Sequence, residues 1–194
     1  MKSEIEKKMK SNIIGKKIKF FDIIESTQTE ARKMAENRTE NGTIVITNYQ
    51  TNGIGTHNRK WYSEKDKNLA FTLIIYPKCT IRGLEGFTFD IAQCLKNSVK
   101  KLYGIKLEIK KPNDIMCNGK KLGGILTQIV TKGEEIKYLL IGIGVNVNSE
   151  NFDEEIKNIA TSLKIEFGKE FSRKNILNEF CYNFEKYCIE KNII

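Results

Sequence analysis

The side chains best suited to chemistry in this chain fall in three stretches. Residues 49–63, YQTNGIGTHNRKWYS, place Gly53 and Gly55 one residue apart, followed by Arg59 and the only tryptophan, Trp61. Arg59 offers a planar fork for phosphate or carboxylate. Trp61 offers a broad face on which a purine can stack, and it would serve equally as a loop anchor. The stretch lacks the GxxxxGK sequence of a P-loop and the third glycine of a dinucleotide fingerprint.

The second stretch is 114–130, DIMCNGKKLGGILTQIV, in which Asn118-Gly119 between apolar runs signals a two-residue type I′ hairpin. A regular ladder then sets Cys117 against Lys120, Met116 against Lys121, Ile115 against Leu122 and Asp114 against Gly123. Side chains alternate faces along a strand, so Asp114, Met116, Lys121 and Gly123 share a face. Asp114 and Lys121 become diagonal neighbours roughly 7–8 Å apart, and both can reach a ligand laid over Gly123. A solvated cross-strand ion pair would use the same residues. Lys120 points the other way. The third stretch, IGIGVNVN, sorts Ile141, Ile143, Val145 and Val147 to one face and Gly142, Gly144, Asn146 and Asn148 to the other. The second face makes a floor for something flat that needs hydrogen bonds, or a seat for a closely packed helix. His57 is the only histidine and has no evident orienting partner, which argues against Ser–His or Cys–His catalysis and against His/Cys metal sites. What remains is recognition of phosphate, carboxylate and amide by Lys, Arg, Asn and Gly.

The elements that must position these residues can be read from periodicity. Strands are expected at 17–24, 42–50, 68–76, 105–112 (ending near Pro112) and 136–148, besides the hairpin of 114–130. Helices are expected over 26–37, with Thr27 and Glu30 at capping-box spacing, over 84–103, and after Ser172. Sequential, hairpin-linked strands favour an α+β fold with a mixed, largely antiparallel sheet flanked by helices over a doubly wound one.

Length and composition set outer bounds. A chain of 194 residues with 40% hydrophobic and 29% charged residues is expected to form one domain. No stretch approaches a membrane span, and the charged start MKSEIEKKMK is not a secretory signal. The five cysteines (Cys79, Cys94, Cys117, Cys181 and Cys188) show no paired spacing, as expected of buried thiols in a reducing cytoplasm. The net charge is +9, but five of the 33 basic residues are Arg and the rest are Lys. Residues 1–20 carry seven Lys against two acids, so they supply +5 of that charge. A solvated lysine surface explains the balance; a nucleic-acid-binding module and an acidic protein partner are the other readings.

Five motifs in order give the chain a resemblance to the catalytic domain of biotin–protein ligases, running from about Phe20 to Lys186. ESTQTEA resembles the family's S-T-N/Q motif, YQTNGIGTHNRKW its Q-x-x-G-x-G-x-x-x-R-x-W loop, KKPNDI its K-W-P-N-D motif, KKLGGIL its K-x-x-G-I-L motif, and GIGVNVN its G-x-G-I/V-N motif. The resemblance implies a mixed sheet related to class II aminoacyl-tRNA synthetases and lipoate ligases. It implies a two-step reaction: biotin and MgATP give biotinyl-5′-adenylate and pyrophosphate, and the lysine of a biotin carboxyl carrier protein domain then takes the biotinyl group. It assigns Lys121 to the biotin carboxyl and the α-phosphate. Ser26, Thr27, Gln28 and Gln50 fall to the ureido ring, and Gly53, Gly55 and Arg59 to the wrap around the adenylate. Gly124 allows close approach of the ligand. Asn113 and Asp114 go to phosphate, Mg²⁺ or the incoming amine, and Trp61 and Asn146 to adenine. Lys121, Asp114 and Arg59 are the catalytic candidates, with Asp114 as the metal candidate. The rival on the same fold is a lipoate– or octanoyl–protein ligase.

The chain departs from the family pattern in three places. Ile54 and Thr56 stand where arginines are common, and Asn58 where glycine is. Lys111 stands where tryptophan precedes the proline. Residues 1–19 form a short basic segment instead of a helix-turn-helix repressor domain, and residues 20–194 would be the catalytic domain without a C-terminal barrel. The expectation is a cytoplasmic, monofunctional ligase without specific DNA binding, as monomer or homodimer.

Overall fold

The computed structural model describes residues 9–194, so the first eight residues of the basic N-terminal segment lie outside it. Seven strands lie side by side in the order β1 (Ile18–Ile24), β2 (Ile44–Gln50), β5 (Leu69–Ile75), β9 (Glu135–Val145), β8 (Lys120–Lys132), β7 (Asp114–Cys117) and β6 (Glu108–Lys110). β1 runs parallel to β2 and every other pair is antiparallel. This is the mixed, largely antiparallel α+β arrangement expected from the sequence. A separate small ladder pairs β3 (Gly53–Ile54) with β4 (Lys60–Trp61).

Period-two alternation sorts the faces of the sheet. Phe71, Leu73, Ile141 and Ile143 turn to one face, where α2 (Phe87–Tyr103) and α4 (Arg173–Glu190) bury them under Ile91, Leu95, Phe180 and Phe184. Phe71 meets Phe180 edge-on, with ring centroids 5.7 Å apart. Each such side chain removed from water stabilises the fold by roughly 1.5–3 kcal/mol. The N-terminal segment is tied to α4 by a buried carboxylate. Glu185 accepts the backbone N–H groups of Asn12, Ile13 and Ile14 at 2.7–2.8 Å. One helical turn and a half earlier, buried Glu179 pairs with Lys10 and Lys101.

The other face is covered at one end only. α1 (Thr27–Glu36) sets Ala31 and Ala35 against Val45, Ile74 and Leu140. Its ten residues span about 15 Å, whereas the eleven residues of β9 span about 36 Å. Past the reach of α1 the sheet presents Thr72, Gly142, Gly144 and Gly124, and this uncovered stretch is the floor of a cleft.

Three local expectations need correction. The N-cap of α1 is Ser26, whose hydroxyl accepts from the N–H of Gln28, while the Thr27 hydroxyl turns to Gln50 instead. β6 covers only Glu108–Lys110, because Ile105 and Leu107 are buried by packing without joining the ladder. A short helix, α3 (Leu163–Phe167), capped by Ser162, went unforeseen. Lys111, where tryptophan was noted as usual, extends over the ring of Phe89 at 5.2 Å. Among the described residues no helix is long and apolar enough to cross a membrane.

Candidate functional site

The β7–β8 hairpin sets the charged end of the cleft. Asn118 and Gly119 both have positive φ (48° and 77°), as the type I′ turn requires. Cys117 pairs with Lys120 and Met116 with Lys121, as a regular ladder predicts. Beyond that the register shifts: Ile115 faces Gly123 and Asp114 faces Gly124. Leu122 and Gly123 together oppose Ile115, a β-bulge that adds one residue to β8. The expected pairs Ile115–Leu122 and Asp114–Gly123 are therefore wrong. A Cβ at Gly123 would strike the Gly144 carbonyl and face Ile115, whereas one at Gly124 would face Trp61 and lie 3.6 Å from Lys121 Nζ. Of these two glycines it is Gly124, and not Gly123, that lies beneath the cleft. The side chains of Asp114 and Lys121 span the hairpin and form a direct ion pair, Oδ1 to Nζ 2.6 Å.

The opposite end is a polar network in which the valences can be counted. Gln50 Oε1 accepts both the N–H and the hydroxyl of Thr27, at 2.8 and 3.0 Å. That fills its lone pairs and leaves the Gln50 N–H donors, which have no partner among the described residues. Gln28 is the converse. Its Nε2 donates to Gln128 Oε1 (3.2 Å) and to the Leu140 carbonyl (3.4 Å), and its Oε1 lies 3.0 Å from the Thr72 hydroxyl. One lone pair of that oxygen remains. Gly142 makes room for it, since a Cβ there would lie 2.7 Å from Gln28 Oε1. This end of the cleft thus offers donors from one carboxamide and an acceptor from another. Ser26, with its hydroxyl proton uncommitted, lies alongside.

Between the two ends lies Trp61, delivered by β4. Its indole rests on the backbone of Gly144, where an added Cβ would come within 2.4–2.8 Å of three ring atoms, and Lys121 Nζ lies 5.9 Å from the ring centroid. Gly53 permits the β3–β4 ladder, because a Cβ there would meet the Trp61 carbonyl at 2.6 Å. Gly55 donates to the Arg59 carbonyl at 2.7 Å and lines the cleft beside Ile54 and Thr56. The cleft opens to solvent. Trp61 and Gln50 are also walls of a second, neighbouring and larger cavity that reaches Tyr62, Ser63, Ser149 and Phe152. Trp61 is the partition. Its Nε1, Ser63 Oγ and Asn146 Oδ1 are buried and lack a hydrogen-bond partner among the described residues. Buried polar atoms are nearly always satisfied by protein or by water, and two of these three, Trp61 Nε1 and Ser63 Oγ, belong to residues that line a cavity.

Of the residues singled out in the sequence, Ser26, Thr27, Gln28, Gln50, Gly55, Trp61, Asn113, Lys121 and Gly124 line the cleft. Asn113 is held there by a bond from its amide to the Ile125 carbonyl. Asp114 acts behind the lining, through Lys121. Gly53 shapes the loop without lining the cleft. Arg59 is exposed and folds onto the carbonyl and hydroxyl of Thr56, both at 3.3 Å. Asn146 is buried, lines neither cavity and is anchored to the Thr161 carbonyl, while Asn148 is engaged with the Phe171 backbone. Sequence reasoning missed Thr72, Gln128 and Arg32. Thr72 carried a signal, a lone hydroxyl in the apolar run of β5. Among the described residues no cluster of three His, Cys, Asp or Glu forms a metal site. The cysteines are poor nucleophiles: burial pushes Cys117 up to about 11 and Cys94 up to about 12. The cleft is built to bind an amide-bearing ligand at one end and an anion at the other.

Known proteins resemble the chain in both sequence and fold. The model of the biotin/lipoate A/B protein ligase family matches residues 20–146. The bifunctional ligase/repressor BirA of Bacillus spizizenii is 35% identical over 186 residues, 95% of this chain and 57% of that protein. The human biotin–protein ligase is 32% identical over 148 residues, 71% of this chain and 20% of that protein. The chain thus spans less than two thirds of these relatives. Among solved structures, the biotin protein ligase of Aquifex aeolicus in complex with biotin and ATP superposes with a TM-score of 0.78 at 26% identity, covering 91% of this chain and 72% of that one. That of Leishmania major in complex with biotinyl-5-AMP gives 0.74 at 26% identity, covering 90% and 76%.

Proposed function

Because this chain belongs to the biotin/lipoate A/B protein ligase family, we propose that it is the catalytic domain of a biotin–protein ligase, joining biotin to a carrier-protein lysine through biotinyl-5′-adenylate. The observation that carries the reading is the pairing of two ends in one cleft: the complementary carboxamides of Gln28 and Gln50, and the ammonium of Lys121 on side-chain-free Gly124. A cyclic urea has a carbonyl acceptor and N–H donors, which match Gln50 Nε2 and Gln28 Oε1 respectively. The carboxylate at the far end of the same molecule then falls beside Lys121.

In the first step a carboxylate oxygen attacks the α-phosphorus of ATP and pyrophosphate leaves. Lys121 brings two anions together, and Asp114 fixes its ammonium. A preorganised cation of this kind acts on charge as it develops and so lowers the barrier. Trp61 separates the biotin cleft from the larger cavity, which receives the nucleotide. The unpartnered Ser63 Oγ lines that cavity and would serve the polar edge of adenine there. Magnesium takes one or two carboxylates and completes its shell with phosphates and water; Asp114, partly exposed beside the Lys121 end, fits that ligand set and would help hold a metal that offsets phosphate charge. In the second step the carrier amine attacks the anhydride carbonyl, and AMP departs. Asn113, held at the cleft wall, is placed to orient the amine.

A lipoate ligase would need the same Lys121, but the dithiolane ring of lipoate offers neither N–H nor carbonyl to Gln28 and Gln50. Calorimetry with biotin and with lipoate separates the two. Biotin-dependent exchange of pyrophosphate into ATP tests the first step; exchange that proceeds with lipoate and not with biotin would sink the assignment.

A further inference from the structure

The acceptor face of Gln28 is not set by Gln28 itself. A carboxamide presents an oxygen or an NH₂ depending on a half-turn about its last bond, and its neighbours decide which. Behind Gln28 lies Gln128 of β8, and behind Gln128 lies Arg32 of α1, whose Nη2 donates to Gln128 Oε1 at 2.8 Å. The guanidinium can only donate. Gln128 must therefore turn its oxygen toward Arg32. The same oxygen accepts from Gln28 Nε2 at 3.2 Å, so Gln28 must turn its nitrogen away from the cleft floor and its oxygen toward Thr72 and the ligand. Arg32 and Gln128 are 96 residues apart and meet only because α1 packs across β9 beside β8. Neither residue lines the cleft.

We propose that Arg32 and Gln128 form a positioning relay that fixes the orientation of the Gln28 carboxamide and thereby makes this end of the cleft demand an N–H donor from its ligand. The inference rests on the reading above that Gln28 meets the urea of biotin. Without the relay only the longer bond from Gln28 Nε2 to the Leu140 carbonyl, 3.4 Å, holds the amide in this sense, so the flipped orientation becomes more accessible and the pocket's preference for a donor weakens.

The test is calorimetric titration of the protein with biotin, comparing wild type, Arg32→Leu, Gln128→Met and the double variant Arg32→Leu/Gln128→Glu. An ionised glutamate at 128 can only accept, so at neutral to alkaline pH it should hold Gln28 correctly without any arginine. The expected result is a biotin Kd raised about tenfold by Arg32→Leu and by Gln128→Met, and returned to within about twofold of wild type in the double variant. The Kd for ATP should remain unchanged throughout. A role in packing alone would not be rescued by adding a charge, so failure of the double variant to recover overturns the proposal. Unchanged biotin affinity in both single variants overturns it as well. If wild type itself does not bind biotin, the functional reading falls first, and the relay falls with it.

Discussion

Replacing Gly144 by Ala should evict Trp61 from the cleft. Gly144 lies in β9 with ordinary strand geometry, paired with Ala70 and Gly124, so the backbone accepts an alanine. The conflict lies with the indole: the new methyl would be 2.4, 2.5 and 2.8 Å from Cε2, Cζ2 and Nε1. Contact distance between such atoms is about 3.5–4.0 Å, so the ring must retreat by more than ~1 Å. Overpacking of this size costs about 1–3 kcal/mol when the surroundings cannot yield. Here they can, because Trp61 rides on a two-residue ladder at the edge of the cleft while Gly144 is held by strands on both sides. The ring should move and the sheet should stay. Trp61 is the only tryptophan, so emission reports it alone. The variant should show red-shifted emission and stronger acrylamide quenching, with Tm within about 2 °C of wild type. The reasoning is refuted if emission and quenching are unchanged while Tm falls by ~4 °C or more, the shift that about 1–2 kcal/mol gives a protein of this size. That outcome would mean that the sheet yields and the tryptophan is fixed.

Three further outcomes follow from the same contacts. Lys121→Ala should lose about 10²–10³-fold in biotin-dependent pyrophosphate exchange without loss of fold, whereas Lys120→Ala, on the opposite face, should be close to silent; equal losses would contradict the hairpin's register. Glu185→Ala strips the shared acceptor from three backbone N–H groups and should lower unfolding stability by about 2–3 kcal/mol, read by urea denaturation. The Glu179 carboxyl is pushed up by burial but held on balance below its ordinary value near 4.5 by the bonds from Lys101 and Lys10. A depressed carboxyl stabilises the fold above its unfolded value, and that stability is lost as pH falls through the folded value. The stability gap between wild type and Glu179→Gln should therefore be full at pH 6 and shrink as pH falls below 4.5; a gap that is constant with pH would refute the ion-pair account.

What could be read from the sequence was local. Asn118-Gly119 announced its turn because positive φ at two successive positions selects those residues, and the Ile143–Val145 alternation announced a core face. Ser172 was identified as the start of α4 and caps it through the N–H of Asn175. The bulge at Leu122-Gly123 was hidden because two consecutive glycines carry no facing signal, so strict alternation put Gly123 where Gly124 lies. The cap of α1 was misplaced by one residue because Ser26 and Thr27 are both N-cap formers and only Thr27 has a glutamate at capping-box spacing, whereas its hydroxyl is taken by Gln50, 23 residues away. The seat of Trp61 on Gly144 and the contact of Arg32 with Gln128 join residues more than eighty positions apart, which no local pattern encodes. The motif residues were visible as types; their division into lining, support and loop was set by packing.

The most direct test of the account is intact-mass measurement of an isolated biotin carboxyl carrier domain after incubation with this protein, biotin and ATP. The account predicts a gain of one biotinyl group on the acceptor lysine, dependent on ATP and abolished by Lys121→Ala. An unchanged carrier mass with no pyrophosphate released, or a carrier that gains a lipoyl group and no biotinyl group under matched conditions, would contradict it.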